Sequence, residues 1–145
     1  MSRLELLLSA QRALRSRFDD FKLAFQRANT TAMGVGLRDF ESHLARWTEA
    51  EERWLVPAIV RAGVEGRDPK RELRLEYVQI RELTRYLTLQ LGEGAPLRDL
   101  NGYVENLDRR LRTHESEMER VYYPIAAQSM TDDEWTSLLA ARPPD

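Results

Sequence analysis

Apolar residues recur at alternating steps of three and four along four long stretches of the 145-residue chain. This spacing places them on one face of an α-helix, where they form a stripe that is stable only when it is buried. No stretch alternates apolar and polar residues as a half-buried strand would. Because short connections make consecutive helices antiparallel neighbours, the sequence predicts an all-α fold, an up-down antiparallel four-helix bundle with a short C-terminal fifth helix.

Local signals set the expected bounds of these helices. Capping boxes at Ser2–Glu5 and Thr131–Glu134 predict the starts of the first and last helices. The first connection is expected over Thr30–Gly36, since Gly34 and Gly36 disfavour a helix there. A single domain is expected over residues 1–145, with helices over roughly 3–29, 37–62, 69–91, 97–128 and 132–140.

The composition excludes several classes of function. With 42% hydrophobic and 32% charged residues, the chain is expected to be soluble and globular. Its charges are interleaved and sum to −2, which argues against a nucleic-acid surface or a polybasic membrane patch. The absence of cysteine excludes disulfides and thiolate metal sites. No signal peptide or membrane-spanning run is evident, so a cytoplasmic location is expected.

Three polar residues interrupt the apolar stripes. Gln11, Glu51 and His114 each occupy a position that the spacing assigns to the interior of the bundle. A buried polar side chain is costly unless it has a partner. These residues are therefore expected to form either a satisfied polar network or a site between the helices.

The second and fourth predicted helices also share a repeat, over residues 47–59 and 114–126. Each copy places a proline late in a helix, where the missing amide donor is expected to bend or loosen the last turns. Position by position, the repeat pairs Trp47 with His114, Glu51 with Met118, and Pro57 with Pro124.

The repeat and its Glu51-Glu52-x-x-Leu55-x-Pro57 ending resemble the hemerythrin-like (HHE cation-binding) domain family over essentially the whole chain. In that family, helices two and four each carry His-x-x-x-Glu before the proline, and helices one and three supply further histidines. The resemblance implies a bundle whose interior once held a di-iron centre. At the family's ligand positions, this chain has Gln11, Trp47-x-x-x-Glu51, Tyr77 and His114-x-x-x-Met118.

Most of the implied ligands are therefore replaced, and the chain is identified as a divergent member. Only Glu51 and His114 are retained; Glu119, an acid one residue after Met118, lies off the stripe by about 100° of helix rotation. We expect no cofactor, no di-iron site and no catalytic residue. A buried network is expected instead, with Glu51 paired to His114 and the hydroxyl of Tyr77 donating a hydrogen bond.

Three functional hypotheses follow from these residues. The first is a non-enzymatic structural, sensory or partner-binding bundle. The second is one iron or other divalent ion held between Glu51 and His114, with Gln11, Tyr77 and Glu119 as weaker candidates. A haem with Tyr77 or His114 as axial ligand is a more distant hypothesis.

Aromatic residues exceed what one interior stripe can absorb. Trp135 is expected to dock the short last helix with Leu138 and Leu139. The remaining exposed aromatics would allow a homodimer or another protein partner. Those considered are Trp54, Tyr86, Tyr103, Tyr122 and Tyr123.

Overall fold

A computed structural model describes residues 1–145 and is all-helical, with no strand. The all-α prediction is thus confirmed. None of the helices combines the length and the apolar composition that a membrane-spanning segment needs. The elements are α1 (Arg3–Gln26), α2 (Thr30–Ala50), π1 (Glu51–Leu55), α3 (Val56–Ala62), α4 (Pro69–Gly92), α5 (Leu97–Glu117), π2 (Met118–Tyr122), α6 (Tyr123–Ser129) and α7 (Asp132–Leu139).

The helices pack in pairs around one hydrophobic core. Helix α1 lies against α2, α2 against α4, and α4 against α5, while α3 packs on α6. Aromatic rings join the first two helices, with the centroids of Phe18 and Phe40 5.3 Å apart and both side chains fully buried. Such rings bury much of the apolar area that stabilises a helical core.

The expected connection over Thr30–Gly36 is wrong, because α2 already begins at Thr30. Helix α1 ends in a tight reversal in which the amide of Asn29 donates to the carbonyl of Ala24 (3.0 Å) and Ala28 adopts a left-handed φ of 52°. The side chain of Asn29 then accepts a hydrogen bond from the amide of Ala32. One asparagine therefore joins the two helices and leaves both predicted turn glycines inside α2.

Gly36 lies where α2 packs closely against the backbone of α1. A Cβ added there would lie 3.3 Å from the backbone Cα of Phe21, which is tighter than ordinary packing allows. A Cβ at Gly34 would meet only the flexible end of Arg38, at 3.4 Å. The glycine at position 36 is thus favoured by packing, although it is unfavourable for the helix itself.

Both copies of the sequence repeat contain a π-helical turn. In π1 the amide of Val56 donates to the carbonyl of Glu51, and in π2 the amide of Tyr123 donates to that of Met118. Each donor stands directly before the proline of the repeat. A proline has no amide hydrogen and clashes with the carbonyl four residues earlier, and the wider π turn accommodates both effects.

These turns change which residues face the core. A π turn contains one extra residue, so the buried stripe moves forward by one position after it. Inside the turns, Leu55 and Tyr122 are buried, whereas Trp54 and Val121, which the three-four spacing assigns to the stripe, are only partly buried. Beyond the second turn, Ala126 is buried in place of Ile125, and beyond the first turn both Ala58 and Ile59 are buried.

A cluster of charges joins α1 to α5. Asp108 is 6% exposed and accepts hydrogen bonds from Arg15 and, at 2.7 Å, from Lys22. Burial alone would raise the pKa of Asp108, but the hydrogen bonds from the two cations outweigh burial and lower the pKa to about 2. The carboxylate is therefore ionised over the physiological range and ties the two helices together.

The last helix packs against π1. Leu138 is fully buried and Trp135 packs on the hydrophobic core, as expected, whereas Leu139 is only half-buried. Arg61 holds Glu134 through two hydrogen bonds of 2.8 and 2.6 Å. This bidentate ion pair fixes α7 across the end of α3.

We predict opposite effects for alanine at the two glycines of α2. Gly36→Ala should lower the free energy of unfolding by about 1 kcal/mol, because the added methyl group forces α1 away. Gly34→Ala should raise the free energy of unfolding by about 0.5–1 kcal/mol, because alanine favours the helix. Urea unfolding of both variants tests this, and equal stabilisation by the two changes would contradict it.

Candidate functional site

The sequence-predicted polar residues surround one small internal cavity of about 30 Å³. Helix α1 contributes Gln11, α2 contributes Trp47, π1 contributes Glu51, and α5 contributes His114. A cavity of this volume accommodates one or two water molecules, and its polar walls favour them. Residues that are distant in sequence therefore meet at one level of the helical core.

The sequence suggested that His114 pairs with Glu51, but His114 has a different partner in the structure. Its Nδ1 lies 2.5 Å from Oε1 of Glu76 on α4, and its side chain is 11% exposed. The imidazole therefore bonds toward the rim of the core rather than toward its centre. Glu76 was not identified from the sequence, because its position beside Tyr77 gives no indication that it faces another helix.

Glu51 is the most isolated polar group of the core. It is 1% exposed, and its Oε2 has no hydrogen-bond partner. Burial raises the pKa of Glu51 to about 7, although the nearby charge of His114 and the hydrogen-bonding effect of Tyr123 each lower it. Glu51 therefore retains its proton well above the pH at which an ordinary glutamate ionises.

Two tyrosines complete the polar interior. Tyr77 is fully buried, its hydroxyl has no partner, and its ring meets that of His114 edge-on at a centroid distance of 5.4 Å. Burial and the nearby Glu51 raise the pKa of Tyr77 well above its usual value. The expected hydrogen bond from Tyr77 is therefore absent.

Tyr123 faces the cavity although the helical spacing placed it off the buried stripe. Burial and the charge of Glu51 raise its pKa well above the usual value, and the nearby Trp47 side chain acts against this rise. The π2 turn brings this side chain inward. A proline late in the helix was the only sequence signal that could have indicated the change.

The remaining candidates lie at the edge of the cavity or outside it. The Gln11 amide donates a hydrogen bond to the backbone carbonyl of Glu115 (3.3 Å), so it helps to hold α1 against α5. Burial raises the pKa of Glu115, although the nearby charge of Arg15 opposes this. Glu119 is exposed, in agreement with its predicted position off the stripe, and Met118 is fully buried.

These donors do not fit a di-metal centre. No group of three or more histidine, aspartate, glutamate or cysteine side chains is arranged to hold a metal ion. A pair of metal ions in a helical bundle needs several carboxylates and imidazoles directed at one point. Here one imidazole is bonded to Glu76 and one carboxyl, Glu51, stands alone among aromatic rings.

No family model, curated protein or solved structure matches this chain. The proposed function therefore rests on the geometry of the cavity.

We predict that Glu51→Gln removes a pH-dependent destabilisation. The pKa of Glu51 is about 7 in the folded chain and 4.5 ordinarily, so folding retains a proton that the unfolded chain loses between these values. The free energy of unfolding should fall by about 3 kcal/mol across this window in the unaltered chain. The glutamine variant should lack this loss. Its free energy of unfolding should therefore equal that of the parent at pH 4.5 and exceed it at pH 8.

Denaturant unfolding from pH 4.5 to 8, in the presence of a chelator, measures this difference. Glu119→Gln is the matched control, because it removes an exposed carboxylate from the same pair of repeats. Its free energy of unfolding should change with pH as that of the parent does. A parallel profile for Glu51→Gln would show that the buried carboxyl has an ordinary pKa.

Proposed function

We propose that the four long helical segments form an up-down antiparallel bundle of the hemerythrin-like type, in which a polar core replaces the di-metal centre. The chain then acts as a non-catalytic, partner-binding bundle. The observation that carries the proposal is the composition of the core, where Trp47 and Tyr123 fill space around a lone Glu51 carboxyl. Large buried aromatic rings leave room for little more than water.

Exposed aromatic side chains on α4 and α5 offer a surface for a partner. Tyr86 on α4 and Tyr103 on α5 are 38% and 42% exposed, and their ring centroids lie 4.8 Å apart. Leu89, 48% exposed, stands next to Tyr86 on the same helix face. Exposed aromatic rings are enriched at protein interfaces because each buries a large area on binding.

A single divalent ion at the cavity is the second candidate function, and one observation favours it. The unpartnered Oε2 of Glu51 faces a region shared with His114, whose Nδ1 is held by Glu76. A carboxylate that orients the histidine from behind is the usual arrangement around a metal ligand. Glu51 and His114 would hold the ion, with Tyr77 beside them.

Elemental analysis decides between these proposals. Protein purified from iron-supplemented medium should contain less than one metal atom per chain, because only two side chains, Glu51 and His114, are available as ligands for a first-row metal. Two irons per chain would overturn the first proposal. One metal per chain that is lost in both Glu51→Ala and His114→Ala would establish the second, with Glu119→Ala as the control that retains it.

Sedimentation tests whether the partner is a second copy of the chain. The parent protein should self-associate as its concentration rises, and Tyr86→Ala/Tyr103→Ala should weaken the association at least about tenfold, since buried tyrosines are frequent hot spots. Trp54→Ala, which alters a partly buried aromatic on another helix, is the control. A parent that remains monomeric at every concentration would exclude the homodimer.

A further inference from the structure

A groove of about 310 Å³ lies on the surface between π1, α3 and the start of α4. Its apolar part consists of Val56, Pro57 and Val60, and Val60 is 46% exposed. The exposed proline follows from the π turn, because its ring points away from the core at the start of α3. The groove is separate from the internal cavity and shares no residue with it.

Four charged side chains also line this groove, and two of them are neutralised. Arg61 is held by Glu134 through two hydrogen bonds, and Glu52 accepts one from Arg81 at 2.9 Å. The other two are the cations Lys70 and Arg74, which are exposed and form no hydrogen bond or ion pair. The groove therefore has two uncompensated positive charges.

Lys70 and Arg74 stand one turn apart on α4, so both can reach the same ligand. We propose that the groove binds an alkyl carboxylate, with the carboxylate between these two cations and the chain along Val56, Pro57 and Val60. An anionic head with an apolar tail matches both halves of the surface, the two cations and the apolar side chains.

The size of the groove favours a small molecule over a protein segment. Small-molecule sites enclose about 300–1,000 Å³, and this groove lies at the lower end of that range. A stable protein interface involves about 20–30 residues on each side, far more than the seven that line this groove. The occupant is therefore a short free carboxylic acid, and octanoate is the appropriate probe.

Titration calorimetry with octanoate tests the proposal on the full chain. Octanoate should bind, and Lys70→Gln/Arg74→Gln should weaken binding at least about tenfold by removing both charge-assisted contacts. Arg71→Gln is the matched control, because it removes an exposed cation that stands next to Lys70 on α4 but does not line the groove. Equal affinity in the double variant and the control would overturn the proposal.

Two further probes separate the contributions of charge and chain. Octanol should bind at least about tenfold more weakly than octanoate, and acetate should bind weakly or not at all. Octanol binding as tight as octanoate, or acetate binding as tight as octanoate, would overturn the proposal. Val60→Asp, which alters only an exposed side chain, should also weaken octanoate binding, and thermal unfolding of each variant confirms that it folds.

Discussion

Two prolines, Pro57 and Pro124, impose the constraint on which the rest of the core depends. Each removes an amide donor inside a long helix, and the chain responds with the π turns π1 and π2. A π turn advances the buried stripe by one residue. For this reason Leu55 and Tyr122 are buried and Trp54 is displaced to the boundary.

The same π turns account for the polar interior. Glu51 is the first residue of π1 and Tyr123 directly follows π2, so both side chains face the same cavity. A carboxyl in this setting loses solvation and gains few hydrogen bonds, which explains why its pKa rises to about 7. Aromatic rings at Trp47 and Tyr77 then occupy volume beside it, and a small cavity is all that is left.

Stabilising charges lie at the edge of the core rather than at its centre. The Asp108 carboxylate is matched by Arg15 and Lys22, so its burial is compensated and its pKa falls. Glu51, with no cation in hydrogen-bond contact, shows the opposite shift. The contrast between the two acids shows that partners, and not burial alone, determine the cost of a buried carboxylate.

The sequence by itself determined the all-helical class, the capping boxes at Ser2 and Thr131, and the polar interruptions of the stripes at Gln11, Glu51 and His114. These are local properties, because spacing and capping depend on residues only a few positions apart. Only the tertiary structure decided that His114 bonds to Glu76 and that Tyr123 faces the cavity. Such pairings depend on distances between helices and on the residue added by each π turn, and helical periodicity contains neither.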